Sequence, residues 1–133
     1  MAARVLVVED NPVIARLWAR RLAKDGYDIE IAEDGRAARS AVSRNCPDAV
    51  LLDVMLPDMD GLTLCREWKG DSRTSAMTVI CVSAFSARSD REAALAAGAD
   101  SYVAKTPAAA QQLARELGLY LAGHVAHQLQ VGG

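Results

Sequence analysis

Apolar runs of strand length alternate with longer stretches of helical period along most of this chain of 133 residues. The pattern predicts strands at about Arg4 to Val8, Asp28 to Ala32, Ala49 to Leu52, Met77 to Val82 and Ser101 to Ala104. Between them it predicts helices at about Pro12 to Lys24, Gly35 to Arg44, Gly61 to Lys69 and Ser89 to Ala97, with a last helix from Pro107 onward. Such alternation implies βαβ units around a parallel sheet, hence a single doubly wound α/β domain. The third run is apolar throughout, as a central strand requires, whereas Asp28-Ile29-Glu30-Ile31-Ala32 alternates like an edge strand with one wet face. Pro12 and Gly26 frame the first helix, whose Ile14, Leu17 and Leu22 are expected to face the sheet. Asp60 stands where the third helix needs a cap, and Gly98 where the fourth must stop.

In the last helix Leu113, Leu117, Leu121 and Val125 form a stripe of period four, although Gly118 and Gly123 each weaken it by roughly 1 kcal/mol relative to Ala. The domain is expected to occupy residues 1–122, followed by a helical extension over 123–133 whose Val131-Gly132-Gly133 end frays. The stripe past Leu121 suits a homodimer contact, another partner or a linker.

Composition narrows the function. A net charge of −2 offers no basic footprint for a phosphate backbone, which argues against direct nucleic-acid binding. No apolar run reaches the ~20 residues of a membrane span, and the amino terminus lacks a signal-peptide core, so a cytoplasmic protein without membrane contact is expected. Cys46, Cys65 and Cys81 are an odd set without CxxC spacing, read as reduced thiols, with Cys81 in the core.

The charges are placed with more purpose than their sum suggests. The first apolar run ends in Glu9-Asp10, the third in Asp53 and the fifth in Lys105. As neighbouring parallel strands these runs share one carboxyl edge, where open α/β sheets hold ligands. Carboxylates crowded there repel one another and call for a cation. A donor set made only of oxygen points to Mg2+.

Taken in order, Glu9-Asp10, Asp53 with Val54-Met55-Leu56-Pro57-Asp58-Met59-Asp60-Gly61, Ser83-Ala84, and Tyr102 with Lys105 form a pattern over nearly the whole chain that resembles the response-regulator receiver domain. This is the phosphoacceptor module of two-component signalling. The resemblance implies a five-stranded flavodoxin-like sheet in order 2-1-3-4-5. It implies that Asp53 takes a phosphoryl group from a phosphohistidine on a histidine kinase or histidine phosphotransfer protein. Mg2+ or Mn2+ would be held by Asp10, Asp53 and the backbone carbonyl of Met55, with Glu9 acting directly or through water. Lys105 and Ser83 would bind phosphoryl oxygens. Ser83 and Tyr102 would switch the surface of helix four, strand five and helix five toward an output partner. On this reading the protein is a switch, not a turnover enzyme. The alternative is a receiver-like interaction module that works without phosphate. An aspartate-nucleophile phosphatase is disfavoured, because the place two beyond Asp53 holds Met55 and not a second aspartate.

Several positions depart from the family pattern or carry plainer readings. Glu9 replaces the commoner Asp, and Lys105-Thr106-Pro107 delays the proline by one residue, so a trans peptide before Thr106 is expected. Met55 and Phe85 flank the path of a hydrolytic water without binding it, which predicts a slowly hydrolysed acyl phosphate. Asp58 and Asp60 read as caps or loop solvation, His124 and His127 as solvent-exposed, and Trp18 and Trp68 as packing or contact residues. Arg16, Arg20 and Arg21 read as a solvated face of the first helix.

Overall fold

The computed structural model describes the backbone of residues 2–85 and 87–132, with side chains as far as Ala122. Its strands are β1 (Arg4–Val8), β2 (Asp28–Ala32), β3 (Ala49–Asp53), β4 (Thr78–Ser83) and β5 (Ser101–Ala104). They alternate with α1 (Pro12–Ala23), α2 (Gly35–Arg44), α3 (Gly61–Lys69), α4 (Arg88–Ala96) and α5 (Ala109–Gly132). All strand pairs are parallel, in the order β2-β1-β3-β4-β5, as the sequence pattern and the family resemblance predict.

The pleat sorts the core into two layers, because successive side chains of a strand point to opposite faces. Leu6 and Val8 of β1 join Val50 and Leu52 of β3 against α2, α3 and α4, where Trp68 also packs. Val5, Val7, Ala49 and Leu51 pack instead with Trp18 and Leu22 of α1 and Leu113, Leu117 and Leu121 of α5. Every residue of β3 is buried, whereas β2 carries exposed positions at the sheet margin. Each fully buried Val or Leu is worth ~1.5–3 kcal/mol relative to exposure.

Local signals set the ends of the helices. Asn11 accepts hydrogen bonds from the Val13 and Ile14 amides at the start of α1, Asp34 from Ala37 at α2, and Asp60 from Leu62 at α3. Gly98, with φ of 102°, provides the left-handed turn that closes α4. Some boundaries move. β4 begins and ends one residue later than the pattern predicts, α4 begins one residue earlier, and a turn occupies 106–108 before α5.

One core assignment is corrected. Leu17 is 58% exposed; Ala15, Trp18 and Leu22 make the buried face of α1, while Leu17 lies about 100° around the helix from Trp18. The wide indole takes the place the leucine was expected to fill. α5 runs without interruption from the domain through Gly132, past where the tail was expected to fray at Val131, while Gly133 lies outside the described residues. The side chains of Val125, His124 and His127 likewise lie outside them. Among the described residues no helix is long and apolar enough to cross a membrane.

Candidate functional site

Glu9, Asp53 and Lys105 continue β1, β3 and β5 at one edge, and each shares the pleat of Val7, Leu51 and Val103 on the α1 and α5 side. This common parity turns three remote positions into one crevice. Glu9, Asp10 and Asp53 present carboxylate oxygens that all lie within 4.8 Å of one another. Lys105 reaches in from across the sheet, its Nζ 2.9 Å from Asp53 Oδ2 and 2.5 Å from Glu9 Oε1.

Each acid is held differently. The second oxygen of Asp53, Oδ1, accepts a hydrogen bond from the Met55 amide at 3.0 Å. Glu9 is 1% exposed, its Oε2 accepts from the Asn11 amide at 2.8 Å, and its Oε1 is buried without a well-aligned hydrogen bond. Burial pushes the Glu9 carboxyl above its ordinary value even though Lys105 and Asn11 pull the other way. For Lys105 burial works against the ammonium, but its pairing with the Glu9 and Asp53 carboxylates prevails and holds its pKa above the ordinary lysine value. Asp10 is exposed at the rim.

The donor set fits a hard divalent cation: it consists of oxygen, it carries more negative than positive charge, and one buried oxygen lacks an aligned donor. The loop after β3 is shaped for close approach. A Cβ at Gly61 would lie 2.4 Å from the Asp53 carbonyl oxygen, so only glycine lets α3 start against the end of β3. Met55 bridges to Asp60 within this loop, and Asp58 accepts from the Gly35 and Arg36 amides, which ties the loop to the start of α2.

On the other flank, Ser83 is buried and its Oγ accepts from the Phe85 amide at 3.1 Å, while the buried Tyr102 hydroxyl donates to the Phe85 carbonyl. The loop between β4 and α4 is therefore pinned on both sides of Phe85. Phe85 and Met55 are both more than half exposed. The peptides of the described residues include no cis bond, so Lys105 and Thr106 join in trans, as expected. Trp18 was expected to pack, and it does; its ring centroid also lies 6.0 Å from Lys105 Nζ.

The family pattern described as the response regulator receiver domain matches residues 5–117. The chain belongs to that family. This receiver domain is 40% identical over 105 residues to the response regulator PleD of Caulobacter vibrioides, which covers 79% of the chain and 23% of PleD. It is 40% identical over 115 residues to the response regulator MprA of Mycolicibacterium vanbaalenii, covering 86% of the chain and 49% of MprA. The chain thus spans less than half the length of these relatives. Among solved structures, the receiver domain of a signal transduction histidine kinase from Syntrophus aciditrophicus superposes with a TM-score of 0.83 at 34% identity, covering 92% of each chain. The BeF3-activated receiver domain of RstA from Klebsiella pneumoniae does so with a TM-score of 0.78 at 35% identity, covering 89% of this chain and 97% of that one.

Sequence reasoning named every charged member of the crevice. It missed the cap at Asn11, which its place before Pro12 advertises, and the contact of Trp18 with Lys105, for which spacing gives no signal.

Proposed function

We propose that this receiver domain is a phosphorylation switch in which Asp53 accepts a phosphoryl group from the phosphohistidine of a histidine kinase or histidine phosphotransfer protein. The observation that carries this reading is the Lys105 ammonium held 2.9 Å from Asp53 Oδ2, beside carboxylates that outnumber it. An ionised carboxylate needs no base to become a nucleophile. Asp53 forms the new O–P bond as the N–P bond of phosphohistidine breaks, and the departing imidazole nitrogen keeps the electron pair. Lys105 moves from its carboxylate partners to a phosphoryl oxygen, and the Ser83 hydroxyl leaves the Phe85 amide to donate to another.

Asp10, Asp53, Glu9 and the backbone carbonyl of Met55 would hold Mg2+ or Mn2+, which when bound offsets the repulsion between two anionic reactants. Drawing Ser83 inward reshapes the loop at Phe85, which Tyr102 already grips, and so biases the surface of α4, β5 and α5 toward its output partner. Met55 and Phe85, whose amides bond Asp53 and Ser83, carry exposed apolar side chains that offer no strong hydrogen bond to a hydrolytic water, which favours a long-lived acyl phosphate. The site of action is the cytoplasm.

Incubation with a small phosphodonor and Mg2+, followed by intact-mass measurement, tests this reading. The native chain should gain one stable phosphoryl adduct, and Asp53→Asn none. Equal labelling of Asp53→Asn would overturn it, as would donor turnover without an adduct. A native chain that stays unmodified would favour the phosphate-independent interaction module.

A further inference from the structure

We infer that Trp18 is a positioning residue for phosphoryl transfer, its indole face holding the Lys105 ammonium over the acidic crevice. The inference rests on the reading of Asp53 as acceptor and adds a residue outside the charged set. Lys105 starts at the end of β5 and must reach Asp53 two strands away, about 9–10 Å at the usual strand spacing, and Glu9 one strand further. A lysine stem is flexible, and fixing its head over that span costs rotamer entropy.

The carboxylates alone hold it only while they remain uncompensated. Once a divalent cation neutralises them, their pull on a neighbouring ammonium weakens, at the moment when Lys105 must meet a phosphoryl group. An indole keeps its attraction, because the ring quadrupole does not change when the acids do. Trp18 is also well placed to stay still. It is 3% exposed, packed among Val7, Leu51, Val103 and Leu113, and lies on the same face of the sheet to which the pleat directs Glu9, Asp53 and Lys105. Its centroid stands 6.0 Å from Nζ, within cation–π reach.

The test compares Trp18→Phe with Trp18→Leu, each alone and with Lys105→Met, by the rate of adduct formation from a small phosphodonor with Mg2+. Both replacements remove bulk, but only Phe keeps an aromatic face. Trp18→Leu should slow phosphorylation about threefold to tenfold, the range a partly desolvated cation–π contact supports, and Trp18→Phe should recover most of the rate. In the Lys105→Met background Trp18→Leu should cost nothing more. Equal loss with Phe and Leu, or the same loss with and without Lys105, would overturn the inference.

Absence of any adduct on the native chain would overturn the reading of Asp53, and a second measurement then judges Trp18 by itself. In fluorotryptophan-labelled protein, Lys105→Met should shift the fluorine resonance of Trp18 and leave that of Trp68 in place, with or without Mg2+. An unmoved Trp18 resonance rejects the contact.

Discussion

Two lysine–aspartate pairs lie at opposite edges of the same sheet. At the amino edge, Lys69 Nζ is 2.7 Å from Asp100 Oδ2 and also donates to the Met77 carbonyl at 2.8 Å, while Asp100 Oδ2 accepts from the Val79 amide at 2.8 Å. One positive charge meets one negative charge, and neutral backbone groups share the rest of the hydrogen bonding. At the carboxyl edge, one ammonium faces Glu9 and Asp53 together, with the Asp10 carboxylate in the same cluster. The chemistry of the partners is the same, but the stoichiometry differs. A balanced pair has finished its work when the chain folds; an unbalanced cluster retains a demand for charge that a cation and a phosphoryl group can meet.

Neutral replacements separate the two most sharply. Lys105→Met should lower the rate of phosphoadduct formation about 100-fold, the usual consequence of removing one group that stabilises developing negative charge. Lys69→Met should leave that rate unchanged and instead lower stability by about 1–3 kcal/mol in denaturant titration, since it leaves the Asp100 carboxylate and the Met77 carbonyl short of a donor. If Lys69→Met impairs phosphorylation as strongly as Lys105→Met, charge balance does not distinguish a structural pair from a functional one.

Divalent metal should sharpen the contrast by a smaller amount. At ten times its dissociation constant, Mg2+ should stabilise the native chain by about 1.4 kcal/mol, and Lys69→Met to the same extent, because only the folded state gathers the carboxylates. Asp10→Asn and Asp53→Asn should lose most of this gain in thermal unfolding. A gain of equal size in Asp53→Asn would place the ion elsewhere.

The two edges also differed in how openly the sequence displayed them. Glu9-Asp10, Asp53 and Lys105 each close an apolar run, so strand alternation alone brought them to one edge, and the shared sign of the three acids made the cluster conspicuous. The element boundaries followed from period and capping to within one residue at most ends, with the α5 start the main exception. Lys69 with Asp100, and Asp58 with the start of α2, gave no such notice. Their partners lie on distant segments, Asp100 for Lys69 and the Gly35 and Arg36 amides for Asp58, and are fixed only once the helices dock. Leu17 and Trp18 show the same limit: helical period offers both to the core, and the choice between neighbours depends on which side chain fills the space between α1 and the sheet.

The smallest expected effect concerns Glu9, and it asks directly whether the carboxyl edge is short of positive charge. Burial raises the Glu9 pKa in the folded chain above its ordinary value of 4.5, against the opposing pull of the Lys105 ammonium and the Asn11 amide. The folded state therefore binds this proton more tightly than the unfolded state does. The contribution of Glu9 to stability is complete below 4.5 and is lost as pH rises from 4.5 through the raised folded value. Lys105 does not blur this window, since its own pKa is raised above 10.5 and its contribution is lost only as pH climbs through that higher value. Glu9→Gln has no proton to lose. Without divalent ions, its stability advantage over the native chain should be slight in acid and grow as pH rises through the carboxylate range, and added Mg2+ should shrink it. Thermal unfolding of both proteins across that range checks the sign. A flat difference would mean that Lys105 already satisfies Glu9, and the carboxyl edge would then be as balanced as the amino edge.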